Sequence, residues 1–291
     1  QLVDESRRMA TALRSGLHGN RKVGPGSDFW QFRPYIAGDP TGQIDWRRSA
    51  RSDKTYIRQT EWQASHTYWI WPLFGMSSFW ASDSKGPPKA DRMMVIALAL
   101  ADLLLRNGET VGAFDPPHSR ITVHDQLAKL GHAMLAAPSD MDAGGNNIHP
   151  GRRHTVLIVG DFLEFAPLER APAPILRRLV HNQNDGALIQ VLDPAECTPD
   201  FAGRIDFTNT NDTVIFRSEK FEDLRAEFIH RSRKWRGRIR DAAMASQWLY
   251  DQHITDQSPS QTLLALYQHI TERPVRSGKT TASPPNAGHR P

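Results

Sequence analysis

Thr155-Val156-Leu157-Ile158-Val159 is a β-branched and aliphatic run, entered from Arg152-Arg153-His154 and left through Gly160-Asp161. It shows no polar alternation and is too short for a helix, so it reads as a strand buried on both faces. Ala187 to Leu192 is a second such run, ended by Asp193-Pro194, and His66 to Trp71 a third. Thr110 to Phe114 is a shorter strand. Helical segments lie between them. Lys89 to Arg106 is apolar nearly all round (Val95, Ile96, Leu98, Leu100, Leu103, Leu104) and stops at Asn107-Gly108. His124 to Ala137 and Pro167 to His181 are the other two. Strand and helix thus alternate at least four times, which predicts an α/β fold: a doubly wound, mostly parallel sheet with helices on both faces. Ligands of such sheets sit at the carboxyl ends of the strands, here the loops after residues 72, 114, 160 and 192.

The flanking regions are of other kinds. Residues 1 to 15 read as a short amphipathic helix. Residues 16 to 54 are rich in glycine, proline and charge, but Phe29, Trp30, Phe32, Tyr35 and Trp46 mark them as an ordered, packed segment. Thr55 to Trp62 alternates as a strand. Residues 141 to 151 read as a Gly/Asn-rich loop. After the core strands come a hairpin near 204–207 and 213–216, a long helix over 219–245, a strand over 248–254 and a helix over 261–270. The expected division is an N-terminal helix and motif segment at 1–63, an α/β domain at 64–272 and a disordered tail at 273–291.

The 291 residues suffice for one large or two small domains. A balance of 36 basic to 32 acidic side chains is too slight a bias to argue for nucleic acid. The single cysteine, Cys197, admits no internal disulfide, which fits a reducing, cytoplasmic setting. It has no histidine or basic residue within four positions and reads as inert. The most apolar stretch, Met93 to Leu105, contains Asp102 and is too short to span a bilayer. No signal peptide opens the chain. It begins on Gln1 rather than methionine, so it reads as cut or processed, and an upstream anchor stays open.

Familiar catalytic patterns do not occur. The sequence holds no His-Glu-x-x-His, no Cys-x-x-Cys and no Gly-x-Ser-x-Gly. Gly278-Lys279-Thr280 lacks the first glycine of a phosphate-binding loop, since Arg273 stands there, and Gly24-x-Gly26 follows no strand. The basic run Arg231 to Arg240 suggests phosphate tracking, with Trp235 among the charges. The stronger reading is a solvated helix face, because Phe221, Leu224, Phe228, Trp235, Ile239 and Ala242 fall at helical spacing as one buried stripe.

One segment carries a denser pattern: Gly24, Gly26, Phe29, Arg33, Tyr35, Gly38-Asp39, Ile44-Asp45-Trp46-Arg47, Ala50-Arg51, Arg58 and Glu61. It resembles the signature of the domain-of-unknown-function-58 family. The likeness is strongest over residues 16 to 115 and continues through Gly160-Asp161-Phe162-Leu163, Val191-Leu192-Asp193-Pro194 and Thr255-Asp256. Pro40, Thr41 and Gly42 stand where the family usually has acidic and basic residues. Independently of the resemblance, arginines 33, 47, 48 and 51 lie among Asp39, Asp45, Glu61 and several aromatics. That mixture reads first as a salt-bridged structural knot and second as a partner surface.

The resemblance implies a von Willebrand factor A-like fold, in which a metal-ion-dependent adhesion site often follows the first core strand. That site uses Asp-x-Ser-x-Ser plus a later carboxylate, oxygen donors suited to magnesium. Here Leu73 stands at the aspartate position and Gly75 at the first serine; Ser77 and Asp161 remain. The expectation is a degenerate site with no metal or other cofactor, magnesium entering only if the remnant still binds or if Asp83, flanked by Ser82 and Ser84, swings in. The loop residues Phe74, Met76, Phe79 and Trp80 then read either as a dry contact surface, with Ser77 and Asp161, or as core.

The function the resemblance implies is that of a bacterial, non-catalytic adaptor or co-chaperone whose protein partner is a MoxR-type AAA+ ATPase. No nucleic acid is expected as a partner and no transmembrane segment in this chain, with membrane association open through partners. Two alternatives are an enzyme using the strand-end carboxylates Asp115, Asp161 and Asp193, and a nucleic-acid binder through the 231–240 helix.

Overall fold

The computed structural model describes residues 1–17, 29–36, 39, 41–60, 66–83, 86–113, 120–123, 126–136, 154–163, 185–208 and 214–272. Its centre is a sheet of β3 (Thr67–Leu73), β4 (Thr110–Ala113), β5 (Arg120–Ile121), β6 (Thr155–Gly160), β7 (Asp185–Leu192) and β10 (Leu249–Ile254), in the spatial order β10-β7-β6-β3-β4-β5. β10, β7, β6, β3 and β4 are mutually parallel, and only the edge strand β5 runs antiparallel. This is the doubly wound, von Willebrand factor A-like arrangement.

Side-chain alternation assigns each strand residue to a face. Tyr68, Ile70, Leu157, Val159, Ala187, Ile189 and Val191 look one way, into a core shared with helix α3 (Lys89–Arg106), α4 (Leu127–Leu135) and α7 (Ser260–Glu272). Trp69, Trp71, Leu73, Val156, Ile158 and Leu188 look the other way, onto Trp235, Ile239 and Ala243 of α6 (Phe221–Ala245). Two separate cores on one sheet explain why β6 and β7 lack polar alternation.

Helix α3 is buried on nearly every side, as its composition predicts, because the sheet, α4, α7 and α1 (Leu2–Leu17) surround it. The acid within its apolar run, Asp102, is fully buried and pairs with Arg106 Nε at 2.7 Å. The helix ends where Asn107-Gly108 predicts: Gly108 adopts φ +80°, and the amides of Gly108 and Glu109 return to the carbonyls of Leu105 and Leu104. Helix α1 lies on α3, with Ser6 Oγ donating to the Val95 carbonyl at 3.3 Å and Arg92 paired to Glu5. It thus packs against the helical layer of the α/β body.

That segment forms a separate antiparallel pair, β1 (Phe29–Pro34) with β2 (Tyr56–Thr60), bridged by the short helix α2 (Trp46–Ser49). The anticipated hairpin is β8 (Ile205–Thr208) with β9 (Val214–Ser218). The stripe on α6 holds, except that Ala243 rather than Ala242 is the fully buried residue near its end. The helix expected over 167–181, the loop over 141–151 and the tail from 273 lie outside the described residues.

His253 on β10 is buried, and its Nε2 has no hydrogen-bond partner among the described residues. Burial, aided by the Arg92 charge, pulls its pKa down to about 4. An unfolded histidine titrates near ~6.5, so between these values the unfolded chain binds the extra proton. Stability from this group is fully present above pH ~6.5 and is lost as pH falls towards ~4. Urea denaturation across that window should show wild type losing about 3 kcal/mol more than His253→Leu.

Candidate functional site at the carboxyl ends of the strands

The tip after β3 runs from Phe74 to Ser82 around a 3-10 turn, Met76–Phe79. The hydroxyls of Ser77 and Ser78 face inward. Ser77 Oγ donates to Asp161 Oδ2 at 2.7 Å and Ser78 Oγ to the same oxygen at 3.3 Å. The Gly75 amide donates to Ser78 Oγ, and the Ser82 amide to Asp193 Oδ2 at 2.9 Å. Its large apolar groups face outward: Met76 is 60%, Phe79 63% and Trp80 46% exposed. Phe74 is the exception. Its ring is buried in the α3-side core and stacks on Phe79 at 6.3 Å between centroids. Of these four residues, Phe74 is core, and Met76, Phe79 and Trp80 are exposed. Asp161, 1% exposed, is no surface residue either.

Asp161 directly follows β6, and the next residue fixes its direction. A Cβ on Gly160 would lie 3.1 Å from Leu73 Cβ, so a glycine lets β6 close onto β3 beneath the tip. Phe162 adopts φ +61°, a left-handed conformation costing about 1–2 kcal/mol. Its phenyl ring is fully buried on the α6 side, worth about 1.5–3 kcal/mol, so burial holds the turn. The Leu163 amide donates to Asp161 Oδ1 at 3.2 Å, which leaves Oδ2 for the tip.

A lysine completes the cluster. Lys89 opens α3, and a helical side chain leans toward the N-terminus, past the end of its own helix. Its ammonium lies 3.0 Å from Asp161 Oδ2 and 2.7 Å from Glu196 Oε1, with both Lys89 and Asp161 only 1% exposed. Glu196 is held by α5 (Pro194–Cys197): Asp193 caps that turn, its carboxylate accepting from the Ala195 amide while its own amide donates to Glu196 Oε2 at 2.8 Å. This is a capping box with one carboxylate oxygen left for Lys89. Burial opposes the lysine charge, yet the charges of Glu196 and Asp161 outweigh it and hold the Lys89 pKa above its ordinary value. Burial pushes the Glu196 carboxyl up, against the pull of Lys89.

The motif segment resolves into structure and surface. Arg33 clasps Asp39 with two 2.7 Å bonds, and the Asp39 carboxylate also caps the Ile36 amide. Both contacts lower the Asp39 pKa, the arginine foremost. Asp45 caps α2 by accepting from the Arg48 amide, and Arg48 lies 4.3 Å over the Phe32 ring. Tyr35 donates its amide to the Thr55 carbonyl. Trp46, at 67% exposure, faces solvent, as do Arg47 and Arg51. The knot therefore consists of Arg33, Asp39, Asp45 and Arg48, without Trp46 and Arg51. Gly24, Gly26 and Gly38 lie outside the described residues, and so do Glu61, Ser84 and Asp115; for Phe29 only the backbone is described.

The model of the family described as "Protein of unknown function DUF58" matches residues 31–238. The chain belongs to that family. No curated protein matches it. Among solved structures, this DUF58 protein is similar to the conserved hypothetical protein BatB from Bacteroides thetaiotaomicron, at 11% identity and a TM-score of 0.38, over 72% of this chain and 100% of that one. It is also similar to an aerotolerance-related membrane protein from Bacteroides fragilis, at 12% identity and a TM-score of 0.39, with the same coverage. No helix among the described residues of the DUF58 chain is long and apolar enough to cross a membrane.

The strand-end residues do not suit the metal of an adhesion site. Leu73 is buried and brings no oxygen, Gly75 brings no side chain, and Asp161 Oδ2 already meets two hydroxyls and an ammonium. Asp83 is exposed, in a turn closed by the Gly86 amide on its carbonyl. Lys89, Ser78 and Glu196 are the members that sequence reasoning misses. The Asp193-Pro194-x-Glu196 capping pattern was available to point to Glu196, and a lysine opening an otherwise apolar helix was the signal for Lys89. Cys197 stays thiol-like: burial raises its pKa, although Arg236 Nη1 lies 3.3 Å from its sulfur.

Removing Asp161 strands a buried ammonium beside one carboxylate. In chemical denaturation, Asp161→Ala should cost about 3–5 kcal/mol. Ser77→Ala should cost about 1–2 kcal/mol, as a hydroxyl bonded to a carboxylate. Equal, small losses in both variants would show that the cluster is not under strain from charge.

Proposed function

We propose that this protein is a non-catalytic binding module whose contact surface is the strand-end tip, and that it serves as adaptor or co-chaperone to a AAA+ ATPase of the MoxR type. The observation that carries the reading is the inverted polarity of the tip. Hydroxyls and amides are turned inward onto Asp161 and Asp193, while Met76, Phe79 and Trp80 stand in water. A loop free to choose would bury those side chains; rigid, exposed aromatic and thioether groups at a sheet's ligand end are the composition of an interface centre. The ATPase assignment rests on family membership.

The two alternatives have less support. Asp161 and Asp193 are held by an ammonium, hydroxyls and backbone amides, which are structural engagements for a carboxylate. A cleft of about 410 Å³ beside α6 is lined by Arg233, Arg236, Gly237, Arg240, Tyr250 and Gln252, with none of the strand-end acids. On the basic helix, Arg231 pairs with Glu227 and Arg240 with Asp241 within the helix, which reduces the charge offered to phosphates.

The test is direct binding of the purified chain to a purified MoxR-type ATPase, by surface plasmon resonance. Trp80→Ala and Met76→Ser should each leave folding stability within about 0.5 kcal/mol, being surface changes. Together they should weaken binding at least about 30-fold, as loss of an interface centre does. Unchanged affinity in the double variant counts against the tip, and no binding by wild type counts against the partner.

A further inference from the structure

Lys89 occupies an unfavourable place for a lysine. It is the first residue of α3, where the helix dipole presents its positive end, and its ammonium is withdrawn from water. Nothing in helix propensity or packing explains a cation there. The cluster it enters does: Asp161 Oδ2 gathers the Ser77 hydroxyl, the Ser78 hydroxyl and the ammonium, and Glu196 meets the ammonium from the opposite element. A serine after β3 and a carboxylate after β6 are where the fold's metal site would take its oxygens. In this chain the serine hydroxyl bonds the carboxylate, and the same carboxylate oxygen meets the Lys89 ammonium.

We propose that the Lys89 ammonium is the resident cation of the strand-end site, supplied by the chain in place of a divalent metal. One positive charge joins three elements that otherwise end separately: the start of α3, the end of β6 and the α5 turn. A divalent ion on the same carboxylate oxygen would stand beside the ammonium, positive against positive in a low-dielectric place. Unlike a metal, which keeps an exchangeable water for a partner's carboxylate, this cation is sealed. The site therefore sets the tip permanently, without metal as a switch. The inference stands on the geometry of the cluster and does not depend on the identity, or the existence, of an ATPase partner.

Two measurements on the full chain test it, neither needing a partner. In the first, wild type is acetylated with an N-hydroxysuccinimide ester and the peptides are quantified by mass spectrometry. Lys89 should react at least about tenfold more slowly than the exposed Lys129, Lys220 and Lys234, because modification requires local opening. The ratio should be the same in millimolar Mn²⁺ and in a chelator. In the second, Mn²⁺ is titrated and followed by electron paramagnetic resonance. Wild type should bind no more tightly than Asp161→Asn, whereas Lys89→Ala, with two carboxylates released, should bind at least about tenfold more tightly than wild type. Lys89 labelling as fast as Lys129 overturns the proposal. So does micromolar Mn²⁺ binding by wild type that weakens in Asp161→Asn. Should Lys89→Ala not fold, the labelling and the wild-type titration still decide.

Discussion

An ammonium held out of water must meet opposite charge within a few ångströms or lose its proton, and the strand-end architecture follows from how Lys89 satisfies that demand. It takes one carboxylate from the end of β6 and another from the turn after β7. Each carboxylate is positioned by a local device of its own. Asp161 is aimed by the left-handed turn at Phe162, and Glu196 is held by the capping box on Asp193. The second oxygen of each is spent on a backbone amide, so neither group swings freely. The tip after β3 is then drawn onto this frame through Ser77, Ser78 and the Ser82 amide. Loss of the charge at residue 89 would loosen every member at once.

With the Ser77 and Ser78 hydroxyls committed downward, the large side chains that the tip exposes are apolar. Met76, Phe79 and Trp80 share one short loop on a braced base and form an exposed apolar surface. The motif segment contributes a different kind of surface. Its arginine–carboxylate clasp and its helix cap are internal, while Trp46, Arg47 and Arg51 stay in solvent.

Much of the fold was legible because it rests on periodicity. Runs without polar alternation, such as Val156 to Val159, announce strands with a core on each face, and the apolar circumference of α3 announces a helix enclosed by others. The stop at Asn107-Gly108 was legible for the same local reason. The site was legible only in part. Ser77 and Asp161 were singled out in the sequence, and the structure brings them together at 2.7 Å. The place of Lys89 was not legible, because it meets Asp161 and Glu196 across separations of 72 and 107 residues that no local pattern encodes. The direction of each tip side chain was equally hidden: Phe74 and Phe79 are alike in sequence, and only the 3-10 turn decides which of them is buried.

The most direct measurement is a crystal structure of the wild-type chain grown in millimolar Mn²⁺, with anomalous diffraction collected to locate the metal. The account predicts the Lys89 ammonium between Asp161 and Glu196, with Ser77 on Asp161, and no anomalous peak at the carboxyl end of β3. A peak coordinated by Ser77 and Asp161, with the lysine turned away, would contradict it.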